Sequence, residues 1–359
     1  GQGNVTVQAD ASAVQPSTTG SGRGVWAVVD VIDSANVQIE NVTVDGDGQA
    51  SVVTSGGNFV GVNYRNASGG LTDVNVTGIR DAYPGGTTAD GFPVVSGNQR
   101  GVGVQVDNDM LMAFSMSGGT IEDFQKNATV FRQADLELTG VTVQGGGAQS
   151  IIAQNGIQAS GSTGSISGNA IDGIGYAGSA SVYSGAMLLF DSTGLSVTGN
   201  QITSPNAVEP ATKVFGIYVA DSSGAVSGGE ISGNTIDGTD IGILAFGEIT
   251  PDQVLIENNV VTNVDVTDTY GVGVWHQPTD TLTTPFAVEG SDADDLLLGA
   301  ESGDSLTGLD GDDELDGRGG ADTMDGGAGD DSFAVDDAAD VVLEAAGEGS
   351  DTVEASVDY

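Results

Sequence analysis

A run of five consecutive nine-residue units near the C-terminus constrains the fold of this chain more than any other feature. Each unit begins with glycine, has aspartate at its sixth position and has a large apolar residue at its eighth. The units are 290–298, 299–307, 308–316, 317–325 and 326–334. One inward apolar residue per nine predicts a short strand and a turn in each unit, with two units forming one coil of a stacked roll.

The turns of these units offer oxygen ligands of the kind that Ca²⁺ accepts. We expect the sixth-position aspartates to bind calcium together with carbonyls of the glycine-rich turns: Asp295, Asp304, Asp313, Asp322, Asp331, Gly308, Gly311, Gly317, Gly320, Gly326 and Gly329. Pairing of each unit with the second one after it predicts up to about three ions between turns. The first two units depart from the pattern at positions two to four, so we expect weak calcium binding there or none.

The last unit, Gly326-Gly-Ala-Gly-Asp-Asp-Ser-Phe-Ala334, resembles the RTX signature Gly-Gly-x-Gly-x-Asp-x-U-x, in which U is a large apolar residue. The resemblance implies a calcium-binding parallel β-roll in a bacterial protein that leaves the cell by type I secretion. Without calcium the crowded carboxylates repel one another, so we expect the same segment to be a disordered acidic tail.

Charge and composition also favour a location outside the cell. The formal net charge is −43, with eight Lys and Arg and no cysteine among 359 residues. Such a chain repels nucleic acid and anionic membranes, and it contains no apolar run long enough to cross a bilayer. The sequence therefore predicts a secreted, extracellular or cell-surface protein that binds cations and neither binds nucleic acid nor spans a membrane.

A second, less regular repeat precedes the nine-residue units. Its phrase has an apolar residue, Gly or Asn two positions later (Asp in one copy) and another apolar residue at the end, and successive copies start at unequal intervals. The copies are Ile39–Val44, Leu71–Val76, Met116–Ile121, Leu138–Val143, Ile166–Ile171, Val197–Ile202, Ile231–Ile236 and Ile256–Val261. Glycine-led alternating segments lie between them, and helical periodicity is absent. Two or three short strands per irregular period predict the coils of a parallel β-helix.

Asparagine recurs at one point of this phrase, at Asn169, Asn200, Asn234 and Asn259. Stacked coils would align these side chains in a ladder of amide hydrogen bonds. The section 1–285 resembles the right-handed parallel β-helix of the pectin-lyase-like superfamily, so the predicted fold is all-β: this β-helix, then a β-roll at 286–359. That second section includes further strands beyond Ala334, and because the pattern stops abruptly we expect more protein to follow.

The resemblance does not extend to a catalytic signature. A β-helix followed by RTX repeats is the layout of secreted mannuronan C5-epimerases, but their Asp-Pro-His segment is absent, as are the paired-Asp and Gly-His segments of polygalacturonase-like hydrolases. Alignment of the glycine-led phrases places Arg65, Asp107 and Arg132 at one column of three coils, as a charge ladder or a small polar cleft. His276, the only histidine, is a weak candidate base.

The predicted function is that of a secreted calcium-binding surface or matrix protein, adhesin or surface-layer-like, with the β-helix as spacer and binding face. Its expected partners are calcium, a polysaccharide or cell-surface glycan, and further copies of itself. The rival hypothesis is a secreted polysaccharide-modifying enzyme: a lyase, a hydrolase or an epimerase. The missing catalytic motifs favour the first hypothesis.

Overall fold

The computed structural model is an all-β protein throughout its described residues. These are 5–9, 16–18, 24–48, 57–81, 100–147, 152–176, 183–204, 213–220, 226–239, 241–246, 254–257, 259–262, 281–282, 287–289, 296–299, 303–345, 347 and 349–359. Within them no helix is long and apolar enough to cross a membrane. The all-β prediction is confirmed.

The first twenty-five described strands form the β-helix. They are β1 (Val5–Gln8), β2 (Pro16–Thr18), β3 (Gly24–Ile32), β4 (Val37–Glu40), β5 (Val42–Asp45), β6 (Asn58–Arg65), β7 (Gly69–Thr72), β8 (Asn75–Thr77), β9 (Gly101–Ser117), β10 (Thr120–Glu122), β11 (Asn127–Thr139), β12 (Thr142–Gly147), β13 (Asn155–Ser160), β14 (Thr163–Ser167), β15 (Ala170–Ile174), β16 (Tyr183–Phe190), β17 (Leu195–Thr198), β18 (Gln201–Thr203), β19 (Lys213–Ala220), β20 (Gly229–Ser232), β21 (Thr235–Asp237), β22 (Ile241–Phe246), β23 (Val254–Glu257), β24 (Val260–Thr262) and β25 (Thr281–Leu282). β2 pairs with β3 antiparallel, and the other described pairings among these strands are parallel.

Each coil contributes to three faces. One face is the sheet β1-β5-β8-β10-β12-β15-β18-β21-β24-β25, and a second runs β3-β6-β9-β11-β13-β16-β19-β22. The third face contains β4, β7, β14, β17, β20 and β23, and the long strands β9 and β11 turn the corner to join it. The short connections between faces are made at left-handed residues such as Asn41, Asp73 and Gly140, which suit tight turns.

The register between coils follows the repeated phrase. Its final apolar residues pair in series along the first face: Val44, Val76, Ile121, Val143, Ile171, Ile202, Ile236 and Val261. Those from Val44 to Ile236 are 0–1% exposed, and they lie in one continuous apolar core. The irregular coil spacing is therefore accommodated in the turns, while the inward column is kept, as the sequence predicts.

The predicted asparagine ladder is confirmed. Nδ2 of Asn169 donates to Oδ1 of Asn200, Nδ2 of Asn200 donates to Oδ1 of Asn234, and Nδ2 of Asn234 donates to Oδ1 of Asn259, each at 2.9 Å. The same oxygens also accept backbone N–H groups at 3.0–3.1 Å. The four side chains are buried and their amides are satisfied within the protein, so this polar column stabilises the turns without an ion.

The remaining described strands form two small parallel sheets. They are β26 (Ala287–Glu289), β27 (Leu296–Leu298), β28 (Ser305–Asp310), β29 (Glu314–Asp316), β30 (Thr323–Ala328), β31 (Ser332–Val335), β32 (Val341–Leu343) and β33 (Thr352–Ala355). One sheet has the order β26-β28-β30-β32 and the other β27-β29-β31-β33. Consecutive strands therefore alternate between the sheets, so two nine-residue units complete one coil.

Candidate calcium-binding site

The eighth-position apolar residues form the interior of the roll. Leu297 pairs with Leu315 and Leu315 with Phe333, while Leu306 pairs with Met324 on the opposite sheet. All five are 0–3% exposed. The first unit therefore pairs with the third, the second with the fourth and the third with the fifth, as predicted. Each nine-residue unit contributes one apolar side chain to this interior, so the roll buries little apolar surface per residue.

The sixth-position aspartates form a second ladder along the roll. Oδ1 of Asp322 accepts the backbone N–H of Asp304 at 2.7 Å, and Oδ1 of Asp331 accepts the backbone N–H of Asp313 at 2.8 Å. All four residues are 1–4% exposed. One oxygen of Asp322 and one of Asp331 thus fix the preceding coil, which leaves the other oxygen of each for a ligand. Asp295 lies outside the described residues.

The glycines make room for these carboxylates. A Cβ on Gly308 would overlap both the carboxylate of Asp313 and the carbonyl oxygen of Gly326, so these two oxygens approach one point. Gly317 has the same relation to the carboxylate of Asp322. The first position of the unit therefore requires glycine because other oxygens already occupy the space beside its Cα.

The fourth position requires glycine for a different reason. Gly311, Gly320 and Gly329 have φ angles of 131°, 134° and 151°, which L side chains rarely adopt. The second position is also left-handed, with φ of 87° at Leu309 and 58° at Arg318. Both residues replace the glycine of the RTX signature, so each holds a strained backbone conformation.

The roll contains buried carboxylate oxygens that a bound cation would stabilise. Oδ2 of Asp322 and Oδ2 of Asp331 are buried without a hydrogen-bond partner, and both residues are only 1% exposed. Such oxygens are costly to bury. Arg318 is the only Lys or Arg after Lys213 in the sequence, so side-chain cations are too few to neutralise them. Aspartate and carbonyl oxygens together are a donor set for Ca²⁺.

The electrostatics of the aspartates also favour a cation site. Burial raises the pKa of Asp322 to about 7, and the nearby carboxylates Asp304, Asp340 and Asp336 contribute to the rise. Burial also raises the pKa of Asp331, with a further rise from Asp351. The folded roll without a metal therefore disfavours its own ionised aspartates, and a bound divalent cation would reverse that preference.

Sequence reasoning missed three acidic residues that lie beside the aspartate ladder. Oδ1 of Asp340 accepts the backbone N–H of Asp322 at 3.0 Å, and Oδ1 of Asp351 accepts that of Asp331 at 3.1 Å. Glu344 lies beside Asp331 and Asp351. Asp340 follows Asp322 at the same interval as Asp322 follows Asp304, which is a signal that would have identified it. Asp351 follows Asp331 at a longer interval.

On the β-helix, Arg65, Asp107 and Arg132 lie at one register position of three adjacent coils. Nη1 of Arg132 is 4.0 Å from Oδ1 of Asp107. Burial raises the pKa of Asp107 and Asp109 adds to the rise, while Arg132 and Arg65 oppose it. The column is thus an alternating charge ladder with one ion pair among its described side chains. Catalysis by these residues stays a prediction, and His276 lies outside the described residues.

A groove with a volume of about 480 Å³ lies on the third face of the β-helix. Small residues on β7, β9 and β14 leave the depression, and Asp135 and Glu137 project from β11 beside it. The lining residues are Asn36, Gln38, Gly69, Ala113, Phe114, Ser115, Asp135, Leu136, Glu137, Gly164 and Ser165. Oγ1 of Thr163 donates to Oδ1 of Asp135 at 3.1 Å. The groove thus presents amides, hydroxyls and carboxylates.

Comparison with known families defines the class of this protein. Residues 102–284 match the family model of the right-handed β-helix region, and residues 298–333 match that of the RTX calcium-binding nonapeptide repeat in four copies. The chain belongs to the right-handed β-helix family, and its C-terminal repeats bind calcium. No curated protein matches the chain. A β-helix with RTX repeats fits a secreted calcium-binding protein, since such repeats are typical of secreted proteins.

Proposed function

We propose that the protein is a calcium-dependent scaffold of a bacterial surface or extracellular matrix, adhesin-like, in which the β-helix is a rigid spacer and its third-face groove contacts a neutral glycan. The observation that carries the proposal is the composition of the groove. Its described lining residues include amides, hydroxyls and two carboxylates but no Arg, Lys or His. These groups hydrogen-bond sugar hydroxyls, and nothing among them neutralises the carboxylate of an acidic sugar.

The same composition bears on the enzymatic alternatives. Lyases and epimerases that act on uronates abstract a proton beside a carboxylate, which requires a cation or metal to stabilise the developing charge. Three cationic side chains of the β-helix are engaged elsewhere: Arg80 pairs with Asp123, Arg132 with Asp107, and Nζ of Lys126 donates to the Ala153 carbonyl at 2.6 Å. This favours binding over uronate chemistry.

One observation favours a glycoside hydrolase as the second candidate. Asp135 and Glu137 lie two positions apart on β11, so their exposed side chains emerge on the same face of the strand. Paired carboxylates at a groove are the catalytic groups of most glycoside hydrolases. Both residues are exposed side by side on one strand, whereas the catalytic carboxylates of most glycoside hydrolases flank the scissile bond, so we rank this function second.

The test is to incubate the full chain in calcium with a panel of neutral and acidic polysaccharides. Retention in affinity electrophoresis is measured in parallel with new reducing ends and unsaturated uronates. We expect retardation by a neutral glycan without new ends, and at least about tenfold weaker binding by the double variant D135N/E137Q. Glu122→Gln, an exposed change on β10 of another face, is the control and should bind normally.

Two results decide against the proposal. New reducing ends that vanish in both Asp135→Asn and Glu137→Gln would establish the hydrolase instead. Products bearing unsaturated ends, or retention confined to acidic polysaccharides, would contradict the neutral-glycan groove. Self-assembly stays a prediction, for which light scattering with and without calcium is the measurement.

A further inference from the structure

Three carboxylates converge at the C-terminal end of the roll, where the match to the repeat family ends. Ligand oxygens of Asp331, Glu344 and Asp351 all lie within 4.8 Å of one another. Asp331 is buried, whereas Glu344 and Asp351 are exposed, so the cluster is anchored inside the roll and opens toward solvent. Of the three, only Asp331 belongs to a nine-residue unit.

Glu344 occupies the place of a repeat glycine. Asp325 pairs with Leu343, so continuing the register by one residue sets Gly326 against Glu344 in the next coil. A Cβ on Gly326 would meet the Asp331 carboxylate and would lie 2.8 Å from Oε1 of Glu344. One coil earlier, the oxygen that lies beside Gly308 together with the Asp313 carboxylate is the backbone carbonyl oxygen of Gly326. Beside Gly326, the side-chain oxygen Oε1 of Glu344 takes the equivalent place.

The buried member of the cluster is the independent sign of a ligand. Asp331 is 1% exposed, its Oδ2 has no hydrogen-bond partner, and that oxygen lies beside Gly326 together with Oε1 of Glu344. Its other oxygen is used, because Oδ1 accepts the backbone N–H of Asp313. Asp351 is positioned by its own hydrogen bond, in which the backbone N–H of Asp331 donates to Oδ1 at 3.1 Å.

We propose that Asp331, Glu344 and Asp351 form a separate Ca²⁺ site that closes the C-terminal end of the roll. It differs from the sites between nine-residue units because side-chain carboxylates from two turns, Asp331 before β31 and Glu344 and Asp351 between β32 and β33, replace the glycine carbonyls as ligands. Calcium affinity rises with the number of charged ligands, so this site fills before those of the regular turns. Its ion joins β31 to the segments that carry β32 and β33. The proposal depends on calcium binding and not on the glycan-binding function.

The test is isothermal titration of the calcium-free full chain with calcium alone, for the wild type and the double variant E344Q/D351N. Both changes keep an oxygen of the same shape, and the amide introduced at position 351 can still accept the Asp331 N–H. We expect the variant to bind one ion fewer per chain and to lose the tightest phase. Hydrogen exchange at 341–343 and 352–355 should then rise at intermediate calcium, while 305–316 stays protected.

The control is E354Q/D358N, which removes the same charge from exposed positions of the same C-terminal segment and should keep the full number of ions. An unchanged ion count and unchanged tight phase in E344Q/D351N would overturn the proposal. If the double variant fails to load any calcium, the single variants decide. Each is expected to weaken the tightest phase about tenfold, and unchanged affinity in both would equally overturn it.

Discussion

The β-helix and the β-roll are both stacks of parallel coils, yet they satisfy their buried polar groups in different ways. In the β-helix, Asn200 gives and accepts hydrogen bonds within the ladder, so the buried amides need nothing from outside. In the roll, the ladder residues are aspartates, and the second oxygens of Asp322 and Asp331 are buried without a donor. A stack built on amides is complete by itself, whereas a stack built on carboxylates requires cations.

The apolar interior of the β-helix is also more extensive than that of the roll. The β-helix core includes aromatic side chains such as Tyr64, Phe114 and Phe131, with ring centroids 5.1–5.7 Å apart. The roll has one apolar residue per nine-residue unit facing inward, of which Phe333 is the only aromatic among those described. Apolar burial alone therefore stabilises the roll less per residue, and calcium binding supplies the remainder.

The largest effect is expected from breaking the asparagine ladder. Asn200→Leu removes an Oδ1 that accepts two hydrogen bonds from Asn169. It also removes an Nδ2 that donates to the Ile166 carbonyl and to Oδ1 of Asn234. The partners stay buried, so the free energy of unfolding should fall by about 3 kcal/mol or more, with or without calcium. Urea denaturation checks this, with Gln201→Ala, an exposed neighbour, as a control expected to change it little. A loss seen only without calcium would contradict the comparison.

The next effect changes sign with calcium. Asp322→Asn removes a charge that the calcium-free fold disfavours, so it should raise the fraction of the roll that stays folded after calcium removal, as read by circular dichroism. In saturating calcium the same change removes a ligand and should lower the melting temperature. Asp325→Asn, in the neighbouring strand β30 and outside the aspartate ladder, is the control. A stabilising effect under both conditions would contradict a ligand role.

Stability of the calcium-free roll should depend on pH. Because the pKa of Asp322 in the fold is about 7, above its ordinary value near 4, the folded state binds more protons between these values. The calcium-free roll is therefore most stable at low pH and loses stability as pH rises from about 4 to 7. Thermal melting of dialysed protein at pH 5 and pH 8 measures this. Asp322→Asn should flatten the slope, and an unchanged slope would refute the assignment.

The smallest effect concerns backbone strain. Leu309→Gly relieves a left-handed φ of 87° and should stabilise the roll by about 1 kcal/mol, lowering the calcium concentration at half-folding. Leu343→Gly, at an exposed position on β32 without a left-handed φ, is the matched change and should destabilise. Circular dichroism during calcium titration distinguishes them. Two effects of the same sign would remove strain as the explanation.

Much of the fold could be predicted because the inward residues repeat. The apolar column from Val44 to Ile236, the asparagine ladder and the pairing of alternate nine-residue units all follow from spacing. The same spacing predicts the column of Arg65, Asp107 and Arg132. Turn length does not disturb these positions, since a short coil and a long coil present the same phrase to the core.

Features outside the repeated phrases could not be predicted. The groove depends on which coils have small residues on their outer side. Three of these residues, Gly69, Ser115 and Gly164, lie at unequal intervals in the sequence, so no repeat predicts that they line one groove. A bulge adds to this, since Asp107 pairs with Arg132 but Met112 pairs with Ala134. Of the missed acidic residues, Glu344 stands where the repeat has glycine and Asp351 follows a longer interval between coils, so neither could be predicted from spacing, unlike Asp340.

Hydrogen exchange of the full chain in calcium and after calcium removal tests the central contrast most directly. We expect amides of β28–β31 to exchange slowly in calcium and fast without it, while amides of β10, β12, β15 and β18 stay protected under both conditions. Protection of β28–β31 that persists without calcium would contradict the contrast, because the buried aspartates would then need no cation.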